Sequence, residues 1–228
     1  MSQSIKIDVV SDVACPWCVV GLYSLEQALV TLRDEVDARI HLQPFELNPS
    51  MGPEGEDLFG HLMRKYDSTA AELAQAREVI NRRGREAGFV FRPEGRGRVW
   101  NTFALHRLLQ WADTEGVPGD ALALCKAFMR AYHGRADNMT DRSVVLACCQ
   151  QAGVDMARAT AVLDGDDYAH EVRERQAYFT QLGIRSVPAF IVNDKHLISG
   201  GQPAEVFVKA LRQIAQAVRI DSGLMPLL

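Results

Sequence analysis

The sequence lacks a surplus of positive charge and lacks any long apolar run, and each absence excludes a class of protein. Its 29 aspartate and glutamate residues outnumber its 25 lysine and arginine residues, for a formal net charge of −4. Binding to nucleic acid mainly through the phosphates requires a basic surplus, so we predict no nucleic-acid partner. A helix that crosses a membrane needs about 20 consecutive apolar residues, so we predict no membrane association either.

The first residues also lack the features of a secretory signal, namely a charged start, an apolar core and a small-residue cleavage site. Apolar and polar residues alternate there instead, which is typical of a strand. We therefore expect the protein to be made and kept in the cytoplasm.

Two of the five cysteines stand unusually close together. A chain of 228 residues that is 47% hydrophobic can bury a sizeable core without disulfide bonds. Cys15 and Cys18 nevertheless bracket Pro16 and Trp17, where an apolar run gives way to a helical pattern. Redox exchange, metal binding and chance proximity are the candidate explanations.

The order of elements around this pair predicts an α/β fold. Ile5 to Val10 alternates as a strand does, the residues from Pro16 onward follow a helical pattern, and Arg39 to Phe45 forms a second strand. Near the end of the chain, Ala189 to Val192 begins two short strands around an Asn193-Asp194 turn, and a helix follows them.

Between these flanking pieces the pattern is helical for about a hundred residues. The predicted helices after the second strand are Leu58 to Tyr66, Ala70 to Gly84, Trp100 to Glu115, Pro118 to Tyr132, Asp141 to Ala152 and Tyr168 to Leu182. The flanking pieces make a four-stranded mixed sheet, so we predict a thioredoxin-like fold with a large α-helical insertion. Residues 1–50 and 165–228 form the discontinuous thioredoxin-like domain, and residues 51–164 form the insertion.

The start of the first helix gives Cys15 its expected chemistry. Unpaired N–H groups and the positive end of the helix dipole stabilise an anion there, so the thiolate is favoured over the thiol. The thiolate is the attacking species in disulfide exchange. Cys18, nearly one turn further on, is expected to be more buried and less acidic. We therefore predict that Cys15 attacks and that Cys18 resolves the mixed disulfide.

Zinc binding and simple burial are weaker explanations of the pair. A structural zinc site needs four ligands, and Cys125, Cys148 and Cys149 lie in helical segments without a second Cys-x-x-Cys, so we predict no metal. We expect these three thiols to be reduced and mostly packed in the interior. A Cys-x-x-Cys between a strand and a helix of a βαβ unit is instead a redox signature.

A second signal comes from Val187 and Pro188, which precede the late strand pair. In a thioredoxin-type domain this loop faces the Cys-x-x-Cys through a cis proline. The backbone of Val187 would then face the thiols, where it can pair with an extended peptide or with glutathione as an added strand. We predict substrate contacts from Val187, Pro188, Pro16 and Trp17, with packing on the insertion as the alternative for Trp17.

Five segments in this order resemble the DsbA-like thioredoxin superfamily, and specifically its cytoplasmic FrnE-like branch. They are SDVACPWCVVG, FELNPSMGPEGE, NTFALHRLLQWA, GIRSVPAFIVN and ISGGQP. The resemblance implies a dithiol–disulfide oxidoreductase, often described as a disulfide isomerase, that acts on protein or small-molecule thiols and disulfides. We expect no tightly bound cofactor, with glutathione as a candidate redox partner. The family roles carry over to Cys15, Cys18 and Pro188, whereas Leu105 and His133 depart from the family pattern.

Related enzymes supply the alternative function. Kappa-class glutathione transferases and 2-hydroxychromene-2-carboxylate isomerases share this architecture, but a serine usually stands at the position of Cys15 and activates glutathione. Because this chain keeps both thiols, we favour disulfide exchange over glutathione-dependent isomerisation or transfer. A non-catalytic binding module that retains the redox motif is a third alternative.

Two further features have two interpretations each. His106 lies on a predicted apolar helix, where it either faces the thiols and stabilises the thiolate or is a packing residue. Six arginines between Arg82 and Arg98 either gather an anionic partner such as glutathione or form a solvated loop.

Overall fold

The computed structural model describes residues 2–221, with side chains up to residue 218 in the last helix. The strands are β1 (Gln3–Ser11), β2 (Val36–Pro44), β3 (Glu56–Asp57), β4 (Arg98–Val99), β5 (Ala189–Val192) and β6 (His196–Ser199). The helices are α1 (Pro16–Thr31), α2 (Leu58–Tyr66), α3 (Ala70–Glu86), α4 (Phe103–Thr114), α5 (Asp120–Met129), α6 (Arg142–Ala152), α7 (Met156–Asp164), α8 (Ala169–Gln181) and α9 (Ala204–Asp221). Residue 1 and residues 222–228, which the predicted thioredoxin-like domain includes, lie outside the described part.

Four strands form one mixed sheet in the order β2-β1-β5-β6. β1 pairs with β2 in parallel and with β5 in antiparallel orientation, and β5 pairs antiparallel with β6. The alternating Ile5, Ile7 and Val9 of β1 are almost completely buried, as a strand covered on that face requires. The predicted mixed sheet, built from the two ends of the chain, is thus confirmed.

Four elements of the helical segment, residues 51–164, were not predicted. β3 and β4 form a two-stranded antiparallel sheet although α2 and α3 lie between them in the chain, and each strand of two residues is too short to show an alternating pattern. A π-helix, Arg130–Arg135, continues α5, and its wider turn has no sequence signature. Helix α7 did have a signal, because the Asp155 side chain accepts hydrogen bonds from two N–H groups of its first turn.

Helix α1 packs together with the four-stranded sheet and with the helical segment. Buried side chains of the sheet, of α1 and of the helical segment form one continuous apolar cluster. A smaller cluster, which includes Val10 of β1 and Phe179 of α8, lies beside it. No helix in the part of the chain described is both long enough and apolar enough to cross a membrane.

Candidate active site

Cys15 and Cys18 lie at the start of α1. Cys15 is the N-cap residue, with φ of −89° and ψ of 116°, and Pro16 occupies the first turn, where a missing N–H is tolerated. The Cys15 carbonyl oxygen accepts hydrogen bonds from the N–H groups of Cys18 (3.1 Å) and Val19 (3.4 Å). Cys15 therefore stands at the end of the helix that favours a negative charge.

The two thiols differ in acidity. Hydrogen bonding to the Cys18 thiol is the largest influence on Cys15 and outweighs burial, so the pKa of Cys15 lies below its ordinary value. Burial, followed by the interaction with Cys15, holds the pKa of Cys18 well above its ordinary value. One thiol is thus suited to attack, while the other keeps its proton at neutral pH.

Cys15 is less exposed than its position suggests. Only 5% of its surface is accessible, against 1% for Cys18. Cys15 nevertheless lines a cleft of about 640 Å³ together with Pro16 and Trp17. The other walls of this cleft come from α2, α3, the loop before β4 and the π-helix. A reagent in the cleft can therefore reach Cys15.

The Val187–Pro188 loop lies beside the attacking thiol. Its peptide bond is cis, and Cys15 Sγ lies 3.7 Å from the Val187 carbonyl oxygen. The loop can approach α1 closely because residue 21 is a glycine. A Cβ atom added to Gly21 would lie 3.1 Å from Pro188 Cγ and 2.9 Å from Phe190 Cζ.

Trp17 lies between the cleft and the turn before α9, whereas packing on the insertion was the predicted alternative to substrate contact. The residue lines the cleft and is half-buried. It also packs against the turn before α9, where a Cβ added to Gly201 would lie 3.1 Å from Trp17 Cε3. Arg83 of α3 donates a hydrogen bond to the Gly201 carbonyl oxygen (3.2 Å), which ties this turn to the helical segment.

Asp12 is a buried carboxylate of the site that sequence reasoning missed, although an acidic residue in the apolar run before Cys15 was an available signal. Its oxygens accept hydrogen bonds from the N–H groups of Ala14 (3.0 Å) and Leu47 (2.8 Å). His106 Nε2 lies 3.5 Å from Asp12 Oδ1, at ion-pair distance but without hydrogen-bond geometry. Burial raises the pKa of Asp12, but His106 and the two N–H donors outweigh it, so the net pKa is lowered.

The arginines of residues 82–98 were predicted either to gather an anionic partner or to form a solvated loop, and they lie in both kinds of environment. Arg92 and Arg96 line the cleft, whereas Arg82 and Arg85 are exposed on α3. Arg96 donates to the carbonyl oxygen of Ala14 (2.6 Å), directly before Cys15. Part of this segment therefore belongs to the site, and part is solvated.

Two more cations of the cleft have no carboxylate within ion-pair distance in residues 2–221. Lys65 Nζ donates to the Leu47 carbonyl oxygen (2.7 Å) and to Asn48 Oδ1 (2.7 Å). Arg77 donates to the backbone oxygen of Glu94 (3.4 Å). Burial lowers the pKa of Lys65. Positive charge is therefore available to an anion beside the thiols of an otherwise acidic protein.

Helix α2 adds an apolar rim to the same cleft. No residue of this helix is buried, and Phe59, Met63 and Tyr66 are 42%, 37% and 56% exposed. Their spacing of four and three residues places them on one face of the helix. Such a face can contact apolar parts of a substrate.

The other thiols lie outside the site. Cys125, Cys148 and Cys149 are free and buried, and burial raises the pKa of Cys125 and of Cys149 to about 12. Within residues 2–221 no group of three histidine, cysteine or acidic side chains is arranged to hold a metal ion.

Comparison with known proteins agrees with this geometry. The DSBA-like thioredoxin domain family matches residues 6–212. A probable DsbA oxidoreductase from Streptomyces coelicolor is 30% identical, with a TM-score of 0.83 over 98% of this chain and 93% of that one. The uncharacterized protein YwbO of Bacillus subtilis (strain 168) is 24% identical over 222 residues, 92% of this chain and 96% of the relative.

Two more distant structures share the fold alone. The cytosolic disulfide reductase DsbM from Pseudomonas aeruginosa, solved with GSH, is 17% identical, with a TM-score of 0.62 over 92% of this chain and 99% of that one. A 2-hydroxychromene-2-carboxylate isomerase is 13% identical, with a TM-score of 0.65 over 97% and 100% of the two chains. With the closer matches, these structures confirm the predicted thioredoxin-like fold.

Proposed function

The chain belongs to the DSBA-like thioredoxin domain family, and from that premise we propose that it exchanges and isomerises disulfides through Cys15 and Cys18. The observation that carries the proposal is the asymmetry of the two thiols. The pKa of Cys15 is lowered at a helix start that opens on a cleft, while that of Cys18 is raised by burial behind it. A nucleophile needs the first environment, and a resolving thiol tolerates the second.

The exchange proceeds in two displacements. The Cys15 thiolate attacks one sulfur of a substrate disulfide, the substrate S–S bond breaks, and the other sulfur leaves as a thiolate. Cys18 then loses its proton and attacks Cys15 Sγ, which releases the second substrate thiolate. Two electrons pass to the substrate, and the chain ends with a Cys15–Cys18 disulfide. The reverse sequence oxidises a dithiol. Isomerisation follows when another thiolate of the substrate, instead of Cys18, attacks the mixed disulfide, so that a new substrate S–S bond forms and Cys15 leaves as the thiolate.

Protein disulfides fit the surroundings of Cys15. Val187 presents a backbone carbonyl beside Cys15 Sγ, where an extended chain can add as a strand. Pro188 holds that loop, while Pro16 and Trp17 contact the substrate from the start of α1. The exposed apolar face of α2 receives apolar side chains that flank the substrate cysteine.

Glutathione is the proposed small redox partner, with no tightly bound cofactor. Its carboxylates would meet Lys65 and Arg77, two of the cleft cations without a carboxylate partner in the described part of the chain. A structure of similar fold, the cytosolic reductase DsbM, was solved with GSH. A cytoplasmic location agrees with such a partner. The proposed domains are residues 1–50 and 165–228 for the redox domain and 51–164 for the insertion.

Trapping of mixed disulfides tests the order of attack. We expect Cys18→Ser to leave Cys15 in long-lived mixed disulfides with protein substrates, visible on non-reducing gels. Cys15→Ser is expected to trap nothing and to abolish the reduction of insulin. Cys148→Ala is the matched control, because this buried thiol lies outside the site, and it is expected to behave as the wild-type chain. Adducts formed equally by Cys15→Ser would contradict the assignment.

Glutathione-dependent isomerisation or transfer is the second candidate function, favoured by the two cleft cations. It requires no step from Cys18, so Cys18→Ser would then keep full turnover of a chromene or electrophile substrate. Under either candidate function, Lys65→Gln tests whether Lys65 binds the carboxylates of glutathione. We expect it to raise the KM for glutathione several-fold and to leave the KM for uncharged dithiothreitol unchanged. Equal effects on both thiols would remove Lys65 from glutathione binding.

A further inference from the structure

The two peptide oxygens directly before Cys15 are both held by side chains of the helical segment. His133 Nε2 lies 2.8 Å from the Val13 carbonyl oxygen. Arg96 Nη1 lies 2.6 Å from the carbonyl oxygen of Ala14. Because a carbonyl oxygen only accepts, both side chains are the donors. Two side chains of the helical segment thus hold the backbone directly before Cys15.

Asp12 accepts hydrogen bonds from two N–H groups of the same turn. The Ala14 N–H donates to Asp12 Oδ1 (3.0 Å), and the Cys15 N–H donates to the Asp12 carbonyl oxygen (3.0 Å). Each of these backbone groups therefore has a partner. Without Arg96 and His133, the two carbonyl oxygens would lose theirs.

Arg96 and His133 also act on each other. Arg96 Nη1 lies 3.2 Å from His133 Nδ1. A guanidinium has donors only, so Nδ1 accepts this hydrogen bond and carries no proton. The proton of the neutral ring must then be on Nε2, where it is donated to Val13. Arg96 therefore selects the histidine tautomer that can hold the loop.

Packing fixes the position of both side chains. His133 is 4% exposed and lies in the π-helix, a distortion that is frequent at functional sites. The Arg96 guanidinium lies over the ring of Tyr132, 4.7 Å from its centroid. Tyr132 in turn accepts a hydrogen bond from the Trp100 N–H (2.9 Å). The two donors are therefore part of a rigid wall of the cleft.

We propose that Arg96 and His133 are positioning residues for Cys15, which hold the Val13–Ala14 backbone so that Cys15 Sγ stays at the helix N-terminus beside Val187. Arg96 has a second effect, because its positive charge lines the same cleft as the thiolate and has no carboxylate at ion-pair distance among the side chains described. This role rests on the proposed function of Cys15 as the nucleophile. Through these two residues the helical segment contributes to the redox site itself.

The pH dependence of Cys15 alkylation tests the role of Arg96. We expect Arg96→Gln to move the alkylation midpoint to higher pH by about one unit, which slows the reaction about tenfold at any pH below both midpoints. Arg96→Lys keeps the charge and one donor, and we expect a smaller shift. Insulin reduction is expected to lose kcat with little change in KM, since the substrate contacts remain.

His133 variants separate hydrogen bonding from bulk. His133→Gln keeps an N–H donor that can reach the Val13 carbonyl oxygen, so we expect a midpoint close to that of the wild-type chain. His133→Phe keeps the ring shape without the donor, and we expect a shift to higher pH like that of Arg96→Gln. Equal midpoints for these two variants would show that His133 only fills space.

Arg98→Gln is the matched control, because Arg98 is a neighbouring arginine that donates to the backbone oxygens of Glu54 and Gly55 instead. We expect it to leave the midpoint unchanged. A folded Arg96→Gln with the wild-type midpoint would overturn the proposal while the proposed function stood. If Arg96→Gln does not fold, the comparison of Arg96→Lys with the two His133 variants decides. A wild-type chain that alkylates normally but reduces no disulfide would instead contradict the proposed function.

Discussion

His106 Nε2 lies 3.5 Å from Asp12 Oδ1, and the two side chains are 2% and 1% exposed. Asp12 stands three residues before Cys15, whereas His106 belongs to α4 of the helical segment. The buried carboxylate is a negative charge close to the thiols. Behind the larger effects of burial and of the Cys15–Cys18 hydrogen bond, its charge acts to raise the pKa of both thiols. The Asp12 charge therefore disfavours the thiolate form of both cysteines.

Removing this charge should make Cys15 more acidic. For Asp12→Asn we expect the midpoint of Cys15 alkylation to move to lower pH, because the thiolate no longer faces a buried anion. An amide cannot accept hydrogen bonds on both of its polar atoms, so a stability loss of about 1–3 kcal/mol is also expected. Asp113→Asn is the control, because Asp113 is paired with His41 at 3.1 Å outside the redox turn. A midpoint that rises in Asp12→Asn would contradict this account.

Alkylation of the native chain should be selective for one of five cysteines. We expect iodoacetamide at neutral pH to label Cys15 well before the other thiols, as read by peptide mass spectrometry. The pKa of Cys125 and of Cys149 is raised to about 12 by burial, so neither has an appreciable thiolate fraction. Unfolding in urea before labelling should make all five cysteines react alike. Comparable labelling of Cys149 in the native chain would be inconsistent with its burial.

Gly21 is expected to be intolerant of any side chain. A Cβ there would lie 2.9 Å from Phe190 and 3.1 Å from Pro188, both buried. Gly21→Ala should therefore push the Val187–Pro188 loop away from α1, with a stability loss of about 1–3 kcal/mol and slower disulfide exchange. Gly60→Ala in α2 is the control, since its added Cβ meets only side-chain ends at 3.3 Å. Urea unfolding and insulin reduction of both variants measure the difference.

The parts of the site that local patterns encode could be predicted from the sequence. Cys15 and Cys18 are placed by the change from strand to helix spacing, and the Val187–Pro188 loop by the strand that follows it. The contacts of Arg96 and His133 could not be predicted, since they join residues 82 and 120 positions apart in the chain. Periodicity identifies the buried face of a helix but does not say which loop that face meets.

Acid should destabilise the protein in part through His133. Burial, followed by the charge of Arg96, lowers the pKa of His133 to about 3, whereas a histidine in an unfolded chain titrates near 6.5. Between these values the unfolded chain binds a proton that the folded chain does not, so acidification favours unfolding. The stability associated with neutral His133 is therefore present above about pH 6.5 and is lost as the pH falls, by on the order of 4 kcal/mol near pH 3.

His133→Gln tests this linkage, because an amide does not titrate. At neutral pH we expect the variant to be less stable than the wild-type chain by about 1–2 kcal/mol, since glutamine does not reproduce the ring geometry in which His133 bonds Val13 and Arg96 together. As the pH falls toward about 4, the difference should shrink and then reverse, because only the wild-type chain must keep a histidine neutral. Asp12, whose pKa is lowered, loses its own stabilisation only below its ordinary pKa of 3.8, and it does so in both proteins, so it cancels in the difference. His170→Gln, on an exposed side chain, should instead give a curve parallel to the wild-type one. Urea unfolding between neutral pH and about pH 4 measures the stability of the wild-type chain and of the two variants. If the stability difference between His133→Gln and the wild-type chain stayed constant with pH, His133 would not be a buried, neutral imidazole.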